Sequence, residues 1–134
     1  ICYITIRAQY INSMDTHQDY LVIYYTNQKG EKPVEEYILV LQRKERAKIL
    51  SYINLLRDSQ GYLEEPYSRH ITGKIRELRV DFAHNRHRVF YFATVGKRIV
   101  LLHAFLKQTS KTPEKEIVKA LNNYQEFLSH EKAY

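Results

Sequence analysis

Three cations on neighbouring strand-like segments have the clearest capacity for chemistry: Arg79 in IRELRVDF, Arg88 in RHRVFYFA and Lys107 closing RIVLLHAFLK, with His103 on the same last segment. Strand positions hold side chains rigidly, so guanidinium and ammonium groups converging on one sheet face can bind a phosphate or stabilise charge developing on it. Without an anion they would repel one another. RNA carries its own nucleophile, the 2′-hydroxyl, beside each phosphate. A protein that positions the strand, stabilises the charged phosphorane and moves two protons can therefore cleave RNA without a metal. The candidates for proton transfer are His103, Tyr91 and Glu77, and those for charge stabilisation are Arg79, Arg88 and Lys107. Each such role is typically worth about 10²-fold or more in rate. Lys74, Arg76, Arg86, Phe105 and Lys111 are the further candidates for contacts to RNA.

Each assignment has a plainer counterpart. A histidine in an apolar strand, such as His103, is commonly bonded to a neighbour and takes no part in catalysis. Glu77 and Arg79 alternate onto one face and can simply pair. Tyr91 falls with Val89 and Ala93, a pattern that favours core packing. The chain has no phosphate loop, no nucleophile motif and no metal-ligand spacing, so no cofactor or metal is expected.

Alternation assigns the faces of the strands that must position these groups. Segment 74–82 places Glu77, Arg79 and Asp81 together, opposite Arg76, Leu78 and Val80. Segment 86–94 places Arg86, Arg88, Phe90 and Phe92 together, opposite His87, Val89, Tyr91 and Ala93. In segment 98–107, Val100, Leu102, Ala104 and Leu106 form an apolar face suited to packing under helices, and Leu101, His103, Phe105 and Lys107 form the other. A bulge at Ala83-His84-Asn85 would flip Arg88 relative to Arg79. Upstream, DYLVIYYT (19–26) predicts a strand ending in the turn chemistry of Asn27 to Gly30. Pro33 then opens a helix through Leu41, and 42–58 carries an amphipathic stripe of Ala47, Ile49, Leu50, Ile53 and Leu56, together a helical hairpin or one bent helix. Its Arg43, Lys44, Arg46 and Lys48 invite a nucleic-acid reading, but with Glu45 among them a solvated face is the better one. Residues 59–73 read as a loop. Thr112 as N-cap, with Pro113 at the first helical position, starts a last amphipathic helix bearing Ile117, Ala120, Leu121, Tyr124 and Leu128.

At 134 residues the chain has room for one core. Residues 68–111 hold ten Lys and Arg against two acids, a net of +8, whereas the whole chain is +6, so the remainder sums to −2. That clustering points to a polyanion, with nucleic acid the default. The single cysteine, Cys2, fits a reducing compartment, and no apolar run approaches the roughly 20 residues needed to span a bilayer, so a cytoplasmic protein is expected. Because the only methionine is Met14, residues 1–17 read as a leader or vector-derived segment, ahead of a single domain over 18–134.

The segments Ile75-Arg76-Glu77-Leu78-Arg79, His87 to Phe92, Ile99 to Lys107 and Lys111-Thr112-Pro113, preceded by Val22 to Thr26 and Pro33-Val34, resemble in order the HigB-type, phage-derived (Gp49-like) branch of the RelE/ParE toxin superfamily. The resemblance runs from about Asp19 to Phe127. It implies a small α+β fold, with helices packed on one side of a curved, mostly antiparallel sheet, and the role of toxin in a bacterial type II toxin–antitoxin pair. It also implies an mRNA endoribonuclease acting on the ribosome without a metal, and a cognate helix-turn-helix antitoxin (HigA-like) as partner. Carried over by position, Arg79 is the arginine of the family's ELR motif, Arg88 that of its YR-V-F-Y motif, and Lys107 the first lysine of its FxKK motif. Two positions depart from the pattern: His87 stands where tyrosine is usual, and Gln108 where a second lysine is usual. The competing readings are a ParE-like inhibitor of DNA gyrase, which shares the fold but cleaves nothing, and a non-catalytic RNA-binding module.

Overall fold

The computed structural model describes residues 19–131. The expected leader over 1–17 lies outside the described residues. The elements run β1 (Leu21–Tyr24), α1 (Pro33–Leu39), α2 (Arg43–Asp58), β2 (Ser68–Thr72), β3 (Ile75–Phe82), β4 (Asn85–Ala93), β5 (Arg98–Lys107) and α3 (Glu114–Ser129). One five-stranded sheet has the order β1-β5-β4-β3-β2. Strands β2 to β5 form an antiparallel meander, and β1 returns to pair parallel with β5, Leu21 opposite Arg98 and Tyr24 opposite Leu101. The fold is thus α+β with a mixed sheet. No helix among the described residues is long and apolar enough to cross a membrane.

The helices cover both sides of the sheet, not one as the family resemblance implies. Val34 and Ile38 of α1 and Ile49, Ile53 and Leu56 of α2 pack with Leu78, Val80, Val89, Tyr91, Ile99 and Leu101 on one face. On the other, Ala120 and Phe127 of α3 close over Ile75, Phe90, Phe92, Val100, Leu102 and Phe105. Both faces are apolar over most of β5, which explains why that segment reads as a nearly unbroken apolar run.

A bulge in β5 redistributes its residues. Tyr91 pairs with Leu101 but Phe90 pairs with His103, so Leu102 is the extra residue. An inserted residue reverses the alternation beyond it. Val100 and Leu102 therefore share the α3 face with His103, Phe105 and Lys107, while Leu101 joins Ala104 on the side of α1 and α2. The apolar face expected from simple alternation does not exist as one face. At Ala83-His84-Asn85, by contrast, there is no bulge: Phe82 pairs with Asn85 across a two-residue turn in which Ala83 takes φ +53°, and Arg79 stays opposite Arg88.

Other differences are local. Segment 68–72, expected as loop, is the edge strand β2. The chain breaks at Val40 to Gln42, so α1 and α2 are separate helices. After α2, Gly61 (φ +85°) turns the chain so closely onto the sheet that a Cβ there would lie 2.9 Å from that of Ala93. Pro113, not Thr112, is the N-cap residue of α3, and the Thr112 hydroxyl is directed to Glu77 instead.

Under α1 and α2 lies a polar chain built on the buried His87 and Glu45. The Tyr37 hydroxyl meets His87 Nδ1 at 2.7 Å, His87 Nε2 bonds Glu45, and Asn85 Nδ2 donates to the same Glu45 oxygen at 2.8 Å. Burial, with the Glu45 charge nearby, pushes the Tyr37 phenol up to about 12. The bonds from His87 and Asn85 hold the Glu45 carboxyl below its ordinary value, against the opposing effect of burial. A carboxyl lowered in the folded state stabilises it above the ordinary carboxylate range and loses that contribution as pH falls through its folded value. Glu45→Gln is expected to lower the unfolding free energy at neutral pH by about 1.5–3 kcal/mol. Urea titrations at neutral and acidic pH should show the deficit shrinking below the carboxylate range.

Candidate nucleic-acid interface

The registers of β3, β4 and β5 place nine side chains on the α3 side of the sheet in three cross-strand rows. Glu77, Phe90 and His103 form the first, Arg79, Arg88 and Phe105 the second, and Asp81, Arg86 and Lys107 the third. Arg69 of β2 extends the first row beside Glu77. Residues directly opposite across an antiparallel pair have Cβ atoms about 5 Å apart. Two arginines opposite each other, Arg79 and Arg88, are a repulsive arrangement that the fold must offset.

Two carboxylates offset it. Glu77 is fully buried, with Oε1 3.8 Å from Arg79 Nε and 4.0 Å from Arg69 Nε, and Oε2 accepts the Thr112 hydroxyl at 3.5 Å. Oε1 has the two cations near it but no hydrogen bond. Arg88, only 2% exposed, donates from Nη1 to Asp81 Oδ1 at 2.8 Å and to the His87 carbonyl at 3.0 Å, while its buried Nε has no partner. The side chain of Lys107, a residue 7% exposed, donates no hydrogen bond and makes no ion pair among the described residues. Burial lowers its pKa; Glu77 opposes that shift, and Arg88, Arg79 and Arg69 add to it. Lys107 lines a cleft of about 280 Å³ with Arg69, His70, Ser110, Lys111 and Thr112.

The other expected residues divide. Arg86 shares the third row, and Lys111 is exposed on the cleft wall. Lys74 is exposed in the turn between β2 and β3. Arg76 is on the opposite face, 4.8 Å from the Tyr62 ring and bonded to Ser68 Oγ. Tyr91 is there too, buried, its hydroxyl 2.8 Å from Ser68 Oγ. Phe105 is buried against Phe90, ring centroids 5.2 Å apart, and so offers no open stacking surface. His103 is on the expected face, but its Nε2 is 2.6 Å from Glu116 of α3 and its ring stacks on Phe105 at 5.8 Å. The bonded-neighbour reading thus describes its present contacts. Arg69 escaped notice because its strand read as loop; the alternation of Arg69 and Ile71 toward one face was its signal. Among the described residues no group of three or more His, Cys, Asp or Glu side chains could hold a metal ion.

The family model described as phage-derived protein Gp49-like (DUF891) matches residues 36–125, from within α1 to within α3. The chain belongs to this family, which is that of HigB-type, RelE-like toxins. Every residue of the three rows lies inside the match. A Gp49-like toxin implies an antitoxin partner. No curated protein matches the chain.

Because the charged form of Lys107 is disfavoured by burial, the folded state binds its proton less readily than the unfolded chain, and stability rises with pH toward the ordinary lysine range. Lys107→Met is expected to raise the melting temperature at neutral pH by at least about 2 °C. The gain should narrow at alkaline pH, and polyphosphate should stabilise the wild type more than the variant in calorimetric scans.

Proposed function

We propose that this Gp49-like toxin is an mRNA endoribonuclease, acting on the ribosome, in which Arg79, Arg88 and Lys107 gather around one phosphate of the substrate. The observation that carries the reading is the cross-strand pairing of Arg79 with Arg88 beside a buried Lys107 that has no anionic partner within bonding reach. A phosphate would meet two needs at once: it would relieve the cation repulsion and give Lys107 a counter-charge.

In the reaction the 2′-oxygen attacks phosphorus and loses its proton, the P–O5′ bond breaks, and the 5′-oxygen takes a proton, leaving a 2′,3′-cyclic phosphate. The arginines stabilise the added charge on the phosphorane. Lys107 is suited to protonate the departing oxygen, because a lysine with lowered pKa gives up its proton more readily. The His103 imidazole and the Glu77 carboxylate lie on the same face, and the base for the 2′-hydroxyl would come from one of them. Glu77 must first be freed from Arg79 and Arg69, and His103 from Glu116. The antitoxin, read as a HigA-like helix-turn-helix protein, would silence the toxin by covering this cationic face.

RNA cleavage in EDTA, with and without ribosomes, tests the reading. Arg79→Ala and Lys107→Ala are each expected to lower the rate by about 10²-fold or more while keeping the folded circular dichroism spectrum. Cleavage unchanged in both variants would remove the site assignment. A wild type that cleaves nothing yet blocks gyrase supercoiling would turn the reading to the ParE-like inhibitor.

A further inference from the structure

At the edge of β3 that β2 leaves uncovered is a second depression, of about 170 Å³, lined by Lys48, Tyr52, Pro66, Tyr67, Arg79 and Asp81. It shares no residue with the cleft around Lys107. We propose that it is a nucleobase subsite, in which one base of a bound RNA strand lies against Tyr67 and Tyr52 while the adjoining phosphate lies on Arg79. This rests on the reading of the neighbouring face as an RNA site, and it adds the element of sequence choice.

The walls come from three separate parts of the chain. The β2–β3 pairing reaches only Ser68 opposite Leu78, and just beyond it the Arg79 N–H bonds the Tyr67 carbonyl at 2.9 Å, which fastens Tyr67 to the strand edge. Tyr52 projects from α2, its ring centroid 6.0 Å from that of Tyr67 and the planes 62° apart. The two rings meet edge to face, and Tyr67 keeps 45% of its surface exposed for a base to lie against. Lys48 Nζ is 5.7 Å from the Tyr52 centroid and donates to the Asp81 carbonyl, closing the helix side of the depression.

Size and chemistry then select the occupant. The volume is well under the roughly 300 Å³ at which pockets for drug-sized ligands begin, so it suits a single flat ring system. Aromatic rings supply stacking that any base can use, and cations beside them suit the attached phosphate. The Asp81 carboxylate, 64% exposed although one oxygen bonds Arg88, can accept from an amino group of the base. That favours adenine, cytosine or guanine over uracil. Arg79 belongs both to this depression and to the row containing Arg88, so the base held here belongs to the nucleotide next to the bound phosphate.

Direct binding tests the subsite without recourse to cleavage. NMR titration of the full chain with AMP, GMP, CMP, UMP and ribose 5-phosphate should give at least one amino-bearing nucleotide an affinity about tenfold above that of ribose 5-phosphate. Tyr67→Leu should reduce that nucleotide to the level of the sugar phosphate, Tyr67→Phe should retain the difference, and Arg79→Ala should weaken all five ligands. Uniform affinity across the five, including none measurable, would overturn the proposal, as would base preference that survives Tyr67→Leu. Selective base binding by a chain that cleaves no RNA would leave the subsite standing and remove the nuclease. RNA cleavage by a chain that binds all five alike would do the reverse.

Discussion

Glu77 is buried in the interior of a cationic sheet face, between Arg69 and Arg79, and the arrangement of that face depends on it. Like charges gathered on one face repel one another. The three rows plus Arg69 hold five cations and two carboxylates. With Glu77 between Arg69 and Arg79, and Asp81 on Arg88, the repulsion is reduced but not cancelled, and Lys107 is left with the remainder. A buried carboxylate is itself unfavourable unless cations surround it, so neither partner would be stable there alone. The result is a face whose positive charges outnumber the carboxylates that hold them in place.

The same face owes its geometry to one inserted residue. Without the extra Leu102, His103, Phe105 and Lys107 would turn toward α1 and α2, and the cationic rows would lose their third strand. The bulge also lets Val100 and Leu102 supply the apolar floor on which α3 rests. Through Thr112 on Glu77 and Glu116 on His103, the start of α3 then closes one side of the charged surface. Packing and charge are thus divided along a single strand, apolar where α3 covers it and cationic at the far end.

Much of this is legible from alternation alone. The faces of β3 and β4 follow directly from residue parity, because neither strand is bulged and the turn between them has two residues. β5 defeats the same rule, since both its faces are buried and an apolar run gives no sign of where the register slips. β2 is hidden for a different reason: its SRHIT pattern is polar and its pairing is supplied by β3, a contact remote from local propensity. Lys48 reads as part of a solvated helix face, and Tyr52 lies outside the apolar stripe of that helix. Only the packing of α2 against the strand edge brings them to Arg79. Glu77 could be seen as a partner for Arg79, but not as the residue buried deepest among the charges.

The parallel pairing of β1 with β5 has a consequence for the order in which the molecule assembles. Strands β2 to β5 are joined by short turns and can zip sequentially, each closing a small loop. β1 must wait for a partner that follows α1, α2 and three strands later in the chain, and closing so long a loop is entropically costly and slow. The cationic rows belong to the locally connected meander, while the outer edge of β5 becomes covered only when this distant contact forms. The cationic face is thus built from locally connected strands, whereas the far edge of the sheet depends on a contact between the two ends of the fold.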